Sequence, residues 1–268
     1  MKISEALKEA SKEIGKKEAD ILLGYLLDLS RVELILRSDK KLTHEQLNSF
    51  KNLVKRAKNS EPIEYITQRV SFYSHEFYIS SGALIPRPES EILVDKVLEV
   101  AKEFKNPKIA EIGVGSGILS IMIALLNKDA SITATDISKD ALKIASKNIS
   151  KFRVDKRIKL INTPYLHKIN DSFDIIVSNP PYIQNGVKLE KNISYEPKIA
   201  LFGGKRGDEI LKEIIDLSIK RGVKYLCCEM GYDQKDSLKE YMRKLGIKDI
   251  EFYKDLSGFD RGFVARIS

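Results

Sequence analysis

Read for the spacing of its apolar and polar positions, the chain changes character twice. From Met1 to about Ser60 the period is helical. Leu47, Phe50, Val54 and Ala57 fall three and four apart on one helical stripe, with Thr43 as its N-cap, and Ile3 to Ile14 and Lys17 to Leu27 read as earlier short helices. No strand pattern occurs there, so residues 1–60 are expected to form a small all-helical domain with its own core. Between Pro62 and Pro88 aromatic and alternating residues take over. Phe72, Tyr73, Phe77, Tyr78 and Ile79 flank Ser74-His75 and predict a hairpin, and the stretch closes on Ile85-Pro86-Arg87-Pro88-Glu89. Residues 61–88 are therefore read as a hairpin and linker.

From Glu89 onward, over 89–268, short apolar runs alternate with amphipathic segments. Strands are predicted at Lys108 to Ile112, Ser131 to Thr135, Ile158 to Ile161, Asp174 to Ser178, Val223 to Glu229, Ile250 to Tyr253 and Phe263 to Ile267. Strands separated by helical segments of about ten residues need crossover connections, hence a mainly parallel sheet with helices on both faces. The expected fold class is α/β. Sheets of this kind bind ligands at the carboxyl ends of their strands, so chemistry is sought in the loops after them.

Composition excludes more than it assigns. The 268 residues, 43% of them hydrophobic, suffice for a catalytic domain and a small accessory unit. Lys2, Glu5, Lys8 and Glu9 break up the first residues, so no export signal is read and a cytoplasmic location is expected. The most apolar early stretch, Ile21 to Leu29, contains Gly24 and Asp28 and is far shorter than the roughly 20 residues that span a bilayer, so no membrane partner is expected. Cys227 and Cys228 are neighbours in the apolar run Val223 to Met230 and read as buried strand residues. His44, His75 and His167 are scattered, and no metal site is expected. The net charge of +8 suits an anionic partner, yet the lysines are spread along the chain without an arginine and aromatic block, which argues against nucleic acid contact.

The first predicted strand of the α/β region runs into Glu111-Ile112-Gly113-Val114-Gly115-Ser116-Gly117 and then a helical pattern. Glycines there permit a tight turn and close approach of a ligand to the backbone. Alone, such a turn serves nicotinamide, flavin, nucleotide and S-adenosylmethionine sites alike. Asp136, closing the second strand, narrows the choice, because a carboxylate in that place can accept hydrogen bonds from both hydroxyls of a ribose. The spacing also lacks the third glycine of a pyrophosphate-binding GxGxxG.

This constellation resembles the class I S-adenosylmethionine-dependent methyltransferases, with their Rossmann-like fold. The resemblance implies that Gly113, Val114, Gly115, Ser116 and Gly117 hold the methionine part of S-adenosyl-L-methionine and that Asp136 holds its ribose. Glu111 matches the acid that opens the loop in that family, and Tyr165, after the third strand, matches an aromatic contact to adenine. Where related sequences often place an acid before that aromatic, this chain has Pro164.

After the fourth predicted strand come Asn179-Pro180-Pro181-Tyr182. The two prolines stiffen the backbone and remove two N–H donors, leaving carbonyls and the Asn179 side chain as outward acceptors. A planar NH2 group could give one hydrogen to Asn179 and one to the Pro180 carbonyl, with Tyr182 offering an aromatic face. Nitrogen methylation is the chemistry this arrangement suits. The tetrapeptide is shared by enzymes that methylate adenine or cytosine amino groups in DNA or RNA and by enzymes that methylate glutamine in proteins.

The wider pattern resembles one family of the second kind. Ile85-Pro86-Arg87-Pro88-Glu89-Ser90-Glu91, Ser178 to Ile183, Tyr195-Glu196-Pro197, Ala200-Leu201-Phe202-Gly203-Gly204 with Gly207, and Asp255 to Arg261 are similar to the HemK/PrmC family of peptide chain release factor glutamine N5-methyltransferases. The resemblance covers essentially the whole chain. It implies as substrate the glutamine of the Gly-Gly-Gln loop in class I release factors, held partly by the N-terminal helices. It also implies that Arg87 and Glu89 shape the substrate pocket, with Glu196 and Pro197 supporting its wall. Two competitors remain at this point, amino methylation of a nucleic acid base and a non-catalytic module that keeps the cofactor fold. Intact Gly113, Gly115, Gly117, Asp136 and Asn179 argue against the second.

Overall fold

The structure, a computed structural model, describes residues 1–268 and divides them into two compact units, Met1–Arg69 with Leu189–Tyr195, and Val70–Lys188 with Glu196–Ser268. The first unit is helical: α1 (Ile3–Ile14), α2 (Lys16–Leu27), α3 (Arg31–Leu36), α4 (His44–Lys58) and α5 (Ile63–Thr67). Two of these helices begin on reciprocal caps. Ser30 Oγ accepts from Glu33 N while the Glu33 carboxylate accepts from Ser30 N, and Thr43 and Gln46 repeat the exchange, so N-terminal amides that a helix leaves unpaired find partners. Ile3, Ala6, Leu22, Leu23, Phe50 and Val54 lie in its core. The unit runs past residue 60, because Ile66 of the short α5 is buried in the same core. It also takes in 189–195, where the Tyr195 hydroxyl donates to the Asn59 carbonyl at 3.1 Å.

The second unit opens with a hairpin of β1 (Arg69–Phe72) and β2 (His75–Tyr78). Its turn residues are Tyr73 and Ser74, at φ 51° and 56°, the doubly left-handed backbone of a two-residue hairpin turn. The turn thus lies one residue earlier than Ser74-His75. The α/β fold follows as α6 (Ser90–Ala101), β3 (Lys108–Ile112), α7 (Ile118–Leu126), β4 (Ser131–Asp136), α8 (Lys139–Phe152), β5 (Ile158–Asn162) and β6 (Ile175–Ser178). Then come β7 (Ile183–Gln184), β8 (Phe202–Gly204), α9 (Glu209–Arg221), β9 (Tyr225–Glu229), α10 (Lys235–Lys244), β10 (Ile250–Lys254) and β11 (Asp260–Arg266).

Seven strands form the main sheet in the order β10-β11-β9-β6-β3-β4-β5. β9, β6, β3, β4 and β5 run parallel, and β11 and β10 add an antiparallel edge. Helices α9 and α10 cover the face that presents Ala110, Ile112, Ile176, Leu226, Cys228 and Phe263. Helices α6, α7 and α8 pack side by side as the other layer. Sandwiched strands are largely apolar, and β6 and β9 are buried at every residue, with polar side chains only at their carboxyl ends, Ser178 and Glu229, and the Tyr225 hydroxyl at the start of β9. Cys227 and Cys228 are such core positions, and burial pushes both thiols up.

The chain lays β3, β4 and β5 outward in one direction and then returns to place β6 on the opposite side of β3. At that reversal two consecutive loops diverge and leave a crevice at the strand ends. Ile112 of β3 pairs with Ser178 of β6, and Ser178 Oγ donates to the Ile112 carbonyl at 2.7 Å. Gly113 and Asn179 therefore leave the sheet side by side. If this strand pair anchors the domain, truncating Ile176, fully buried in mid-strand, should lower unfolding free energy by about 2–5 kcal/mol in Ile176→Ala. Urea denaturation measures it, and a loss below about 0.5 kcal/mol would contradict this packing.

Candidate active site

A cavity of about 240 Å³ opens where β3, β4 and β6 end, with Gly113, Val114, Gly115, Ser116, Asp136 and Asn179 in its wall. Gly113 and Gly115 have φ 76° and 53°, and a methyl added at either would meet nothing within 4 Å. Glycine there serves a left-handed backbone and leaves open space for a ligand, whereas crowding within the protein would explain neither. Gly117 is different: a methyl on it would press to 3.1 Å from Ala145 Cβ of α8, and the residue starts α7 without lining the cavity.

Asp136 is pinned from beneath, its Oδ2 accepting from Gly115 N at 2.9 Å and its Oδ1 from Ser138 N at 2.8 Å. Each oxygen keeps a lone pair for a further donor, such as a ribose hydroxyl. Glu111 lies buried behind the loop and still reaches the cavity wall. It accepts from Ser120 N at 3.0 Å and from the Ser120 hydroxyl. Burial pushes its carboxyl up to about 8, against the opposing pull of the Ser120 donors. Tyr165 follows β5 with φ 48°, lines the cavity and gives its hydroxyl to Glu213. A pinned carboxylate for hydroxyls, an open glycine backbone, an ionisable acid for a cationic group and apolar walls from Ile137, Pro164 and Tyr165 together fit a donor of the S-adenosylmethionine type.

The tetrapeptide forms the adjoining wall. Asn179 Nδ2 donates to Ser90 Oγ at 3.1 Å, and Ser90 Oγ donates to Glu229 Oε2 at 2.6 Å. The other Glu229 oxygen accepts from the Tyr182 hydroxyl at 3.1 Å. Asn179 Oδ1 is buried with no partner in the protein. Leaving a buried acceptor unpaired costs about 1–3 kcal/mol, so a donor that reaches this atom, from a ligand or a water, gains that much.

Backbone packing holds the segment in place. Ile183 N donates to the Leu201 carbonyl at 2.9 Å as β7 pairs with β8, and Gln234 Nε2 donates to the Tyr182 carbonyl at 2.9 Å. A methyl at Gly203 would stand 2.4 Å from the Pro181 carbonyl oxygen, and one at Gly207 2.5 Å from that of Tyr182. Only glycine lets the two backbones come so close.

A second buried carboxylate clasps the opposite wall. Glu196 accepts from Ile85 N at 2.9 Å and from Arg87 Nη2 at 2.5 Å, while Arg87 Nη1 donates to the Ile85 carbonyl at 3.0 Å. With both oxygens satisfied, the buried charge is matched rather than stranded. Neither Arg87 nor Glu196 lines the cavity. They hold in place Pro86 on one side and Pro197 and Ala200 on the other, which do. Glu89 stands at the start of α6, and Pro180 and Tyr182 stand behind Asn179 and Pro181; none of the three lines the cavity. Sequence reading had assigned no role to Ser90 or Glu229. The available signal was an acid closing the otherwise apolar run of β9 at its carboxyl end.

Comparison with known proteins finds the family model of the PrmC N-terminal domain over residues 1–67 and that of the methyltransferase small domain over residues 88–196. The chain is 36% identical to the release factor glutamine methyltransferase of Buchnera aphidicola subsp. Baizongia pistaciae, over 97% of this chain and 98% of that one. It is 33% identical to the enzyme of the same name from Clostridium acetobutylicum, over 99% and 96%. Among solved structures, the catalytic domain of hMettl16 in complex with a MAT2A 3′UTR hairpin superposes with a TM-score of 0.62 at 19% identity, over 72% of this chain and 75% of that one. At that identity the likeness is one of fold.

Glu111 makes a testable demand on stability. Its carboxyl rises from 4.5 to about 8 on folding, so its contribution is fully present below about 4.5 and drains away as pH climbs towards 8. Glu111→Gln should flatten the dependence of unfolding free energy on pH across that window, as read by denaturant titrations at pH 5 and pH 8. An unchanged slope in the variant would contradict the buried acid.

Proposed function

The chain belongs to the release factor glutamine methyltransferases, and on that footing we propose that it methylates the side-chain amide nitrogen, N5, of the glutamine in the Gly-Gly-Gln loop of class I peptide chain release factors. The observation that carries this reading is the unpartnered Asn179 Oδ1, buried in the wall of a cavity shared with the glycine loop and Asp136. Membership implies a methyl donor of the S-adenosylmethionine type. When bound, S-adenosyl-L-methionine supplies an electrophilic methyl group on a sulfonium centre. The backbone of Gly113 to Ser116 would accommodate its methionine part, Glu111 its ammonium, Asp136 its ribose hydroxyls and Tyr165 its adenine.

An amide nitrogen is a weak nucleophile because its lone pair is delocalised into the carbonyl, so placement must supply much of the acceleration. Asn179 Oδ1 accepts one amide hydrogen and the Pro180 carbonyl the other, which fixes the nitrogen with its lone-pair face towards the cofactor cavity. As positive charge grows on nitrogen both hydrogen bonds strengthen, so the acceptors favour the transition state over the bound substrate. No base is needed before transfer, since the N-alkylated amide is acidic enough to lose its proton afterwards. Tyr182, tethered by its hydroxyl to Glu229, stands behind Pro181 and backs the wall that the planar group meets. Arg87 and Glu196 support the substrate wall, with Glu89 beside them. The helical unit is assigned to holding the release factor. Val32, Ile35 and Leu36 of α3 are exposed there at 65%, 66% and 79%, an apolar face suited to a protein partner.

Incubation with purified release factor and methyl-labelled cofactor should place label on the glutamine of the Gly-Gly-Gln peptide. Label confined to DNA or RNA, or no label on that peptide, would overturn the assignment. In paired measurements, Asn179→Ala should lower kcat by about 100-fold or more with cofactor affinity little changed. Asp136→Ala should instead weaken cofactor binding by about tenfold or more. The reverse pattern would exchange their roles.

A further inference from the structure

We infer that Glu229, acting through Ser90, is a positioning residue that fixes which end of the Asn179 amide faces the pocket, and so selects a primary amide over a carboxylate of the same shape. The inference rests on the function proposed above and adds to it a specificity device.

The oxygen and nitrogen ends of an asparagine amide are nearly identical in shape, so packing alone does not choose between them. Hydrogen-bond direction does. An ionised carboxylate has no proton to give, and Glu229 receives two donors, Ser90 Oγ at 2.6 Å and the Tyr182 hydroxyl at 3.1 Å. A serine hydroxyl carries a single proton. Once that proton is committed to Glu229, Ser90 Oγ can only accept from its other neighbour, and the neighbour at 3.1 Å is Asn179 Nδ2. Oδ1 is thereby turned to the cavity and left unpaired by the protein. The reversed amide would set Oδ1 against Ser90 Oγ with no proton between them, and would present an N–H donor to the substrate.

Burial raises the Glu229 carboxyl, while the Ser90 and Tyr182 donors and the charge of Arg261 of β11, itself paired with Asp255 at 2.7 Å, pull it back, and Glu89 ahead of α6 pushes it up. The two donors it already holds make Glu229 the acceptor of the relay. The Tyr253 hydroxyl of β10 is buried nearby without a partner. With Oδ1 presented, a glutamine NH2 is welcomed and a glutamate carboxylate meets a lone pair with lone pairs. A site that must hydrogen-bond a substrate donor rejects the analogue lacking it far more strongly than one that reads size.

The test uses the full chain with three variants, Ser90→Ala, Ser90→Thr and Glu229→Gln. Glu229→Gln keeps the shape but introduces protons that free Ser90 to turn its own proton towards Asn179. Ser90→Ala and Glu229→Gln should each lower kcat on release factor by about tenfold or more, while affinity for S-adenosylhomocysteine stays within about threefold. Ser90→Thr, which keeps the hydroxyl, should restore kcat to within about threefold of wild type. In nitrogen-15 spectra the Asn179 side-chain NH2 should be protected from exchange in wild type and Ser90→Thr and lose that protection in Ser90→Ala. Retention of kcat in Ser90→Ala, a proportional loss of cofactor affinity, or failure of Ser90→Thr to rescue would overturn the inference. If Glu229→Gln does not fold, the two Ser90 variants decide alone. A wild-type enzyme inactive on release factor overturns the function instead, and the Asn179 resonance still decides the relay.

Discussion

The pairing of β3 with β6 is the constraint on which the rest of the site depends. Parallel strands deliver their carboxyl ends to one edge of the sheet, and the chain's return across β3 makes these two strands neighbours although they are distant in sequence. The register then does the fine placement. With Ile112 opposite Ser178 and the Ser178 hydroxyl closing on the Ile112 carbonyl, the glycine loop and the acceptor tetrapeptide emerge at one level. A slip of one residue would turn every side chain of β6 to the opposite face and separate the two walls of the cavity.

Around that pair the protein uses carboxylates as fasteners: Glu196 and Glu229 are buried with both oxygens paired, and Asp136 is half-buried with lone pairs to spare. Asp136 ties the glycine loop, Glu196 ties the proline-rich approach to the far wall, and Glu229 ties α6 to the tetrapeptide. Buried acids are costly unless matched, and these are matched by backbone N–H groups, hydroxyls and a guanidinium. Rigid support of this kind is what amide methylation requires, because the reacting nitrogen contributes little drive of its own. Asn179 Oδ1, buried without a partner in the cavity wall, is the atom the proposed function assigns to the substrate.

Much of this was legible in the sequence, for physical reasons that differ from part to part. The interior strands are buried on both faces, so Ile175 to Val177 and Leu226 to Cys228 had to be apolar and short, and the alternation with helices followed. The glycine loop, Asp136 and the tetrapeptide could be singled out because each is a short contiguous signal at a strand end, and the fold brings Gly113 to Ser116, Asp136, Asn179 and Pro181 to one cavity. The hairpin turn was misplaced by one position because Tyr73 adopts a left-handed backbone without the Gly or Asn that normally signals it. Helix α5 was missed because five residues are too few to show a period. The Ser90 to Glu229 contact joins residues 139 apart, and no local pattern encodes it. Arg87 and Glu196 were placed near the pocket by resemblance, but their mutual pairing, and their standing behind the wall rather than in it, came only with the fold.

In the proposed reaction Asn179 Oδ1 receives a hydrogen of the glutamine amide. The direct measurement is a crystal structure of the full chain with S-adenosylhomocysteine and a Gly-Gly-Gln peptide. The glutamine amide nitrogen should lie about 2.7–3.2 Å from Asn179 Oδ1, with Nδ2 still on Ser90. A glutamine amide bonded elsewhere in the cavity, or an Asn179 side chain turned with Oδ1 against Ser90, would contradict it.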